Sequence, residues 1–535
     1  MNEDRASTTT ADLVARYGPG YRWFATATVM IGTIVSVLSS TIVNVALPDI
    51  MGAFGMGQDK AQLLSTAFLA AMTGAMLLNA WMVESFGQRA TFLLAISVFM
   101  GASVLGGLAP AEGVLILARI LQGASAGILQ PLTMMVIFQV FPPERRGSAM
   151  GIYGIGVVLA PALGPAVGGI MVDSFSWRYV FFLTPPFCAI GILAALMFLP
   201  GRAGSGPPRR FDWIGFLLMA VFLVTLLTGL SHGQRDGWSS NVIVLNLAAA
   251  AACGMAFFWW ELRTASPMLN LKLFSIPAFS AASVVAFIFG AGIYGSTYLV
   301  PLFVQTVQGY TATRSGLLLM PAGLVLGVIF PLAGRLTDRT SPHMPIVLGL
   351  IVFATSSALM AQADTNTSFL AFAWWLVLGR IGLAFIMTSL NAGALGTVPH
   401  AMLGQGSGAI NFVRQLGGAL GVNLLSVALE RRSQLYTQTF AATQDAANTA
   451  SAEALRQLSA LYAHAGLTEG VALAASSQFL GSVVAAQGSM MAFRDSFRMV
   501  SVIFMIGVIP AVFIHRQAAE RGSQGSPTGR GDGCA

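Results

Sequence analysis

Charge is scarce in this chain. Asp, Glu, Lys and Arg supply only 9% of its 535 residues against 55% hydrophobic ones, a balance that excludes an ordinary soluble protein. Lysine is almost missing: Lys60 and Lys272 stand alone among the 28 basic residues, and neither follows a glycine, so no glycine-lysine phosphate loop exists. The three cysteines (Cys188, Cys253, Cys534) and five histidines (His232, His343, His400, His464, His515) are scattered, which leaves no local ligand set for zinc or haem. No cofactor, metal or enzymatic centre is expected. The isoelectric point near 9.7 invites a nucleic-acid reading that the arginine positions do not support. All 21 acids fall in loops, tails or the ends of apolar runs.

What is present is a series of apolar runs of about twenty residues, the length a helix needs to cross lipid. Residues 1–23 are polar and carry no cleavable signal pattern, so the first run is expected to be kept. Spans are predicted near 24–47, 61–83, 90–109, 113–140, 148–172, 177–199, 213–230, 242–260, 278–304, 315–334, 344–361, 368–397, 405–429 and 498–515, fourteen in all. With the N-terminus inside, the short outer loops hold only Lys60, Arg178, Arg235 and Arg314, and most other arginines lie on the cytoplasmic side. That bias is the positive-inside signature of an N-in/C-in chain. Residues 430–497 are expected to form a long periplasmic loop in which Leu455, Leu458 and Leu461 mark an amphipathic helix; 471–493 is too rich in Ser and Gln for the preferred reading to be a span. The Gly- and Ser-rich stretch 517–535 reads as a disordered cytoplasmic tail.

An internal repeat organises the spans. Pro142, Gly147 and Gly151, continuing to Ala162, Leu163 and Gly164, recur 257 residues later as Pro399, Gly404 and Gly408, continuing to Ala419, Leu420 and Gly421. Arg119 has a counterpart in Arg380, and the loop acid Glu84 one in Asp338. The repeat predicts an all-α membrane protein of two six-helix bundles, 24–200 and 278–516, with a linker and two inserted helices at 201–277. Equivalent spans are eight apart, so the copies run in the same sense, about an axis along the membrane normal.

Several motifs then resemble those of one family. Leu38-Ser-Ser-Thr-Ile-Val-Asn-Val-Ala-Leu-Pro48 in the first span is similar to the signature of the 14-helix drug:proton antiporters of the major facilitator superfamily, with Ser39 where that family has an acid. Arg119-Ile-Leu-Gln122-Gly123 resembles the motif whose arginine faces the cavity and takes part in proton coupling. Gly151, Gly164, Pro165, Gly168 and Gly169 resemble the exporter motif of the fifth span, in which close approach and bending let the helix seal against the other half. The turn 80–89, with Glu84, Gly87 and Arg89, is an eroded copy of the superfamily's cytoplasmic loop motif; Arg335, Asp338 and Arg339 form the second copy, and both are expected to act as charge locks. Trp177 to Pro185 and Asn411 to Gly418 match further signatures, the latter placing Arg414 near mid-membrane.

The resemblance implies a secondary exporter of the bacterial inner membrane, working by alternating access and driven by protons. It is close to the permease subunit of EmrAB-type pumps, which work with a periplasmic adaptor and an outer-membrane channel. The missing acid and the internal arginines Arg119, Arg380 and Arg414 favour neutral or anionic lipophilic substrates over permanent cations. Ser39, Asn44, Asp49, Arg119, Gln122, Arg380 and Arg414 are the expected substrate and proton pathway, with Asp49 the first candidate proton carrier and Glu112 and Glu430 behind it. The alternatives are a non-transporting membrane partner or sensor and a single-substrate metabolite transporter.

Overall fold

A computed structural model describes residues 10–201, 210–444 and 448–524, and these are helical with no strand among them. Twelve helices among the described residues are long and apolar enough to cross a membrane. In chain order the helices are α1 (Thr10–Tyr17), α2 (Tyr21–Phe54), α3 (Gln58–Ala75), α4 (Leu78–Gly107), α5 (Glu112–Val140), α6 (Arg146–Ser174), α7 (Tyr179–Phe182) and α8 (Thr184–Phe198). Then come α9 (Trp213–Asp236), α10 (Asn241–Glu261), α11 (Pro277–Thr306), α12 (Ala312–Arg339), α13 (His343–Met360) and α14 (Phe369–Gly396). The last are α15 (Leu403–Ala442), α16 (Thr449–His464) and α17 (Glu469–Gln524).

The helices α2 to α8 pack among themselves, as do α11 to α15 with α17, while α9 and α10 pair with each other and α9 lies against α3 and α15. The predicted second and third spans are drawn differently from the expectation. The chain is broken at Met76 and Leu77, and α4 then turns at Gly87, which adopts φ 81° and ψ 167°, a region open essentially to glycine alone. A β-carbon at Gly408 would meet the Met76 carbonyl, so the break lies where α15 presses on this segment.

The connection 430–497 is not an irregular loop. α15 runs on to Ala442, α16 covers Leu455, Leu458 and Leu461, and α17 carries 471–493 and the last span as one helix of 56 residues. α15, α16 and α17 thereby form a projection held by Tyr436 donating to Asp495 (2.7 Å), by Arg432 and Arg498 against the same carboxylate, and by Arg494 donating to the Ala361 carbonyl at the end of α13. α16 packs on α17, yet Leu461 stays exposed. The helix also continues to Gln524, past the expected start of the disordered tail at 517; residues 525–535 lie outside the described ones, as do 1–9.

Candidate functional site

Three arginines lie inside the bundle, and they are held in different ways. Arg119 on α5 is fully buried. Its Nε donates to the Leu64 carbonyl (3.1 Å), and Nη1 donates to the Ser39 carbonyl (3.2 Å), the Ser39 hydroxyl (3.3 Å) and Gln122 Oε1 (2.9 Å). The guanidinium stands 4.1 Å over the Phe68 ring. Gln122 passes the network on to Ser103 (2.8 Å), which also accepts from Thr184 (3.0 Å). The charge is thus met by neutral acceptors and an aromatic face, with no carboxylate in ion-pair contact among the described residues. Ser39, at the position of the missing acid, touches this arginine directly.

Arg414 on α15 is nearly buried and donates to Asn411 Oδ1 at 2.5 Å. Asn411 in turn accepts from Tyr153 of α6 (3.3 Å) and donates to Met134 of α5 (3.2 Å) and the Ser407 carbonyl (2.8 Å). Tyr294 of α11 donates to Gln415 (2.9 Å), and a β-carbon at Gly290 would strike the Arg414 carbonyl, so α11 and α15 touch closely here. Tyr153 and Tyr294 carried no motif in the sequence; a lone buried tyrosine in an apolar run is the one signal that could have found them. Arg380 on α14 is half-buried and, among the described residues, hydrogen-bonds only Thr297, at 3.5 Å.

The remaining expected pathway residues lie apart from these centres. Asn44 is exposed and accepts from Ser65 (2.8 Å). Asp49 is exposed at the end of α2, ten residues past Ser39 or about 15 Å along the helix, and does not join the Arg119 network. Glu112 forms an exposed ion pair with Lys60 (2.7 Å), and Glu430 is exposed. The expected proton carrier is therefore not a buried carboxylate beside an arginine.

At the gate, Asp338 ends α12 and crosses to the start of α6. It accepts from the backbone N–H groups of Gly147 (2.6 Å) and Ser148 (3.0 Å) and from the Ser148 hydroxyl. These are helix-end donors on the positive side of the dipole. Its neighbours Arg335 and Arg339, expected to share in the lock, are exposed. Glu84 accepts from Gln405 at the start of α15 (3.3 Å), while Arg89 donates to the Leu199 carbonyl (2.6 Å). The two acids reach helix starts across the halves, and Arg89 binds a helix end of its own half, where the sequence reading expected charge locks in each loop.

The glycines of α6 divide by position. β-Carbons at Gly147 and Gly151 would strike the carbonyls of Gly334 and Phe330 on α12, and one at Gly154 would strike the Phe330 ring. Those at Gly164 and Gly168 would strike Thr41 and Ile42 of α2, while one at Gly169 would meet nothing. Among the described glycines of α6, close approach to the other half is thus limited to residues 147–154, and Gly169 meets nothing. The Pro165 side chain lies outside the described residues, within a helix that continues to Ser174.

A family model described as Major Facilitator Superfamily matches residues 29–422. The chain belongs to this superfamily. It is 28% identical over 489 residues, 91% of either chain, to the uncharacterized MFS-type transporter YhcA of Bacillus subtilis strain 168. It is 30% identical to the multidrug transporter protein MdtP of the same organism, over 75% of this chain and 74% of that one. Among solved structures, the human organic anion transporter MFSD10 superposes with a TM-score of 0.61 at 14% identity, covering 92% of this chain and 99% of that one, which concerns the fold alone. As a facilitator, the protein is a multi-pass secondary transporter and not an enzyme. In a facilitator, a cluster bonded across the two halves, such as Tyr153 to Asn411, must rearrange whenever those halves move apart.

Proposed function

We propose that the protein is a fourteen-span, N-in/C-in exporter of lipophilic neutral or anionic small molecules, energised by the proton motive force and working by alternating access. The two missing spans are counted from 58–86, which is broken at Met76, and from α6. In this orientation the Asp338 latch is cytoplasmic. The observation that carries the substrate preference is the Ser39 contact: Arg119 is fully buried and bonded to a hydroxyl where the family has an acid. A permanent cation would lose its hydration and find arginines in place of an anion. A weak acid exported as its anion moves down the inside-negative potential and leaves its proton inside, so no protein carboxylate has to titrate. The names of relatives such as MdtP support a drug-exporting role.

The projection of α15, α16 and α17 lies on the periplasmic side in this orientation and exposes Val471, Leu473, Phe479 and Val483. We infer that it meets a periplasmic adaptor that leads to an outer-membrane channel, in a bacterial inner-membrane setting.

The test is transport in proteoliposomes under an imposed pH gradient and potential, with a lipophilic weak acid, a neutral drug and a permanent cation compared. Arg119-dependent movement of the first two and not the third is expected. Movement of the cation with equal efficiency would overturn the selectivity.

A further inference from the structure

The helix pair α9 and α10, with the residues flanking it, is fastened to the two halves by contacts of different kinds. Toward the second half, three polar contacts land on one helix, α15. Asn270 donates from Nδ2 to Gln405 Oε1 (3.0 Å), Ser231 near the end of α9 donates to Asn423 Oδ1 (3.2 Å), and the Arg431 guanidinium stands 5.8 Å over the Trp238 ring. Residues 405 to 431 cover about 39 Å of that helix, more than the thickness of the hydrocarbon core. The contacts of Leu223 and Phe211 with the first half are apolar. A β-carbon at Gly74 of α3 would lie 3.6 Å from Leu223 of α9, and the Phe211 ring meets Trp81 of α4 edge-on, with 4.7 Å between centroids. Two acids tie the ends of the pair together. Asp212 accepts from the Gly215 N–H (2.9 Å) and Trp260 Nε1 (2.8 Å), and Glu261 accepts from the Leu269 N–H (3.3 Å), so Phe211 and Asn270 belong to one unit.

We propose that the inserted pair is a strap: it is fixed to α15, travels with the second half, and closes over the first half where Phe211 meets Trp81 and α9 meets α3. An apolar helix face costs little to part in a membrane, because lipid tails are as apolar as the side chains they replace. Amide and hydroxyl groups pulled from their partners beside lipid are left unpaired, which costs more. The polar contacts therefore hold through the transport cycle, and the apolar ones part. The strap also reinforces the gate where it is weaker. Trp81 and Glu84 lie one turn apart on α4, and Gln405 bonds both Asn270 and Glu84, so the strap spans the seam at which Glu84 meets the start of α15. At the other seam α6 and α12 meet directly, and Asp338 takes helix-end N–H groups. The strap rests on alternating access alone, whichever substrate is carried.

The experiment uses the full-length protein in nanodiscs, with Cys188, Cys253 and Cys534 replaced by alanine. Spin labels are placed pairwise on cysteines at three exposed positions: Met197 of α8 in the first half, Leu262 at the end of α10, and Met344 of α13 in the second half. Glu84→Gln combined with Asp338→Asn weakens both latches and is expected to lengthen the Met197–Met344 and Met197–Leu262 distances together, while Leu262–Met344 stays constant. The second readout is maleimide labelling of a cysteine at Thr337, buried at the opposite seam and remote in sequence from the strap. Phe211→Ala, with both latches intact, is expected to raise that labelling roughly two- to tenfold, the worth of one aromatic pair. Phe211→Leu acts in the same direction and serves if Phe211→Ala does not fold. A Leu262–Met344 distance that lengthens with Met197–Met344, or labelling unchanged by the loss of the Phe211 ring, would overturn the strap. Neutral-drug efflux is measured in parallel. Efflux with a lengthening Leu262–Met344 distance overturns the strap alone, and the expected distances without any efflux support the strap and overturn the exporter reading alone.

Discussion

The two copies of the gate latch share one register and differ in strength. Asp338 and Glu84 are equivalent acids in the repeat, and their partners Ser148 and Gln405 are equivalent too, 257 residues apart. Asp338 reaches two backbone N–H groups and a hydroxyl at the start of a 29-residue helix, whereas the reach of Glu84 toward the start of α15 is to a side-chain amide, at 3.3 Å. The short Ser148 side chain lets the carboxylate approach the backbone. Gln405 is longer, and its amide bridges Glu84 and Asn270. The same frame thus carries a helix-dipole latch on one side and a side-chain bridge on the other. The two arginines differ as well: Arg119 of the first copy is fully buried and makes four hydrogen bonds, with its Nη2 left without a partner among the described residues, and Arg380 of the second is half-buried with one long hydrogen bond.

The largest expected effect breaks the arginine comparison. Arg119→Ala removes four hydrogen bonds and a stacking contact, stranding the Leu64 and Ser39 carbonyls and Gln122 in a dry interior. A loss of about 3–5 kcal/mol in stability is expected, together with loss of transport, read by reversible denaturation in mixed micelles. Arg380→Gln is expected to change stability by no more than about 0.5 kcal/mol, since the one hydrogen bond lost is long, at 3.5 Å. A comparable loss at both sites would mean that Arg380 is structurally satisfied after all. Ser39→Asp sharpens the comparison from the other side. It sets a carboxylate against Arg119 and is expected to confer uptake of a permanent cation into inside-out vesicles; wild-type selectivity in that variant would sink the electrostatic account.

The gate comparison gives the next effects. Asp338→Asn removes the charge from a partly buried helix start, worth up to about 2 kcal/mol, and should raise labelling of a cysteine placed at the buried Thr337, whose side chain already faces Gly147, by roughly tenfold or more. Glu84→Gln is expected to shift the same labelling only a few-fold, in keeping with about 0–1 kcal/mol for an exposed pair. Equal effects would remove the asymmetry. Glu84→Asp combined with Gln405→Ser rebuilds the stronger latch in the weaker copy and is expected to lower labelling below wild type.

Much of this frame is legible in the sequence because lipid imposes a simple rule: twenty apolar residues in a row make a spanning helix. The repeat then pairs Glu84 with Asp338 and Arg119 with Arg380 by register alone. The contacts that decide function are not local, and so they are not readable. Ser39 meets Arg119 across 80 residues and Tyr153 meets Asn411 across 258, with no pattern in either segment to announce the partner. The break at Met76 depends on α15 pressing at Gly408, a tertiary event. Residues 430–497 misled for a different reason. Their Ala, Gln and Ser content looks like a polar connection, yet Ala and Gln are good helix formers, and packing of α16 on α17 completes the element.

The smallest expected effect separates the projection from the transporting halves. Tyr436 lies beyond the expected span of α15, and its hydrogen bond to Asp495 holds the phenol above its ordinary pKa, with burial and the Asp495 charge adding and Arg432 opposing. The neutral form is the one the folded state favours. The stabilisation is therefore fully present below the unfolded value near 10 and is lost as pH rises through the higher folded value. At neutral pH the bond is intact, and Tyr436→Phe is expected to lower amide protection a few-fold in 430–442 and 485–495 while leaving protection of α5 and α14 unchanged. A uniform loss across the transporting helices would show that the projection and the bundle unfold as one unit. A loss confined to the projection would show that it opens separately, which a surface that meets a partner outside the membrane requires.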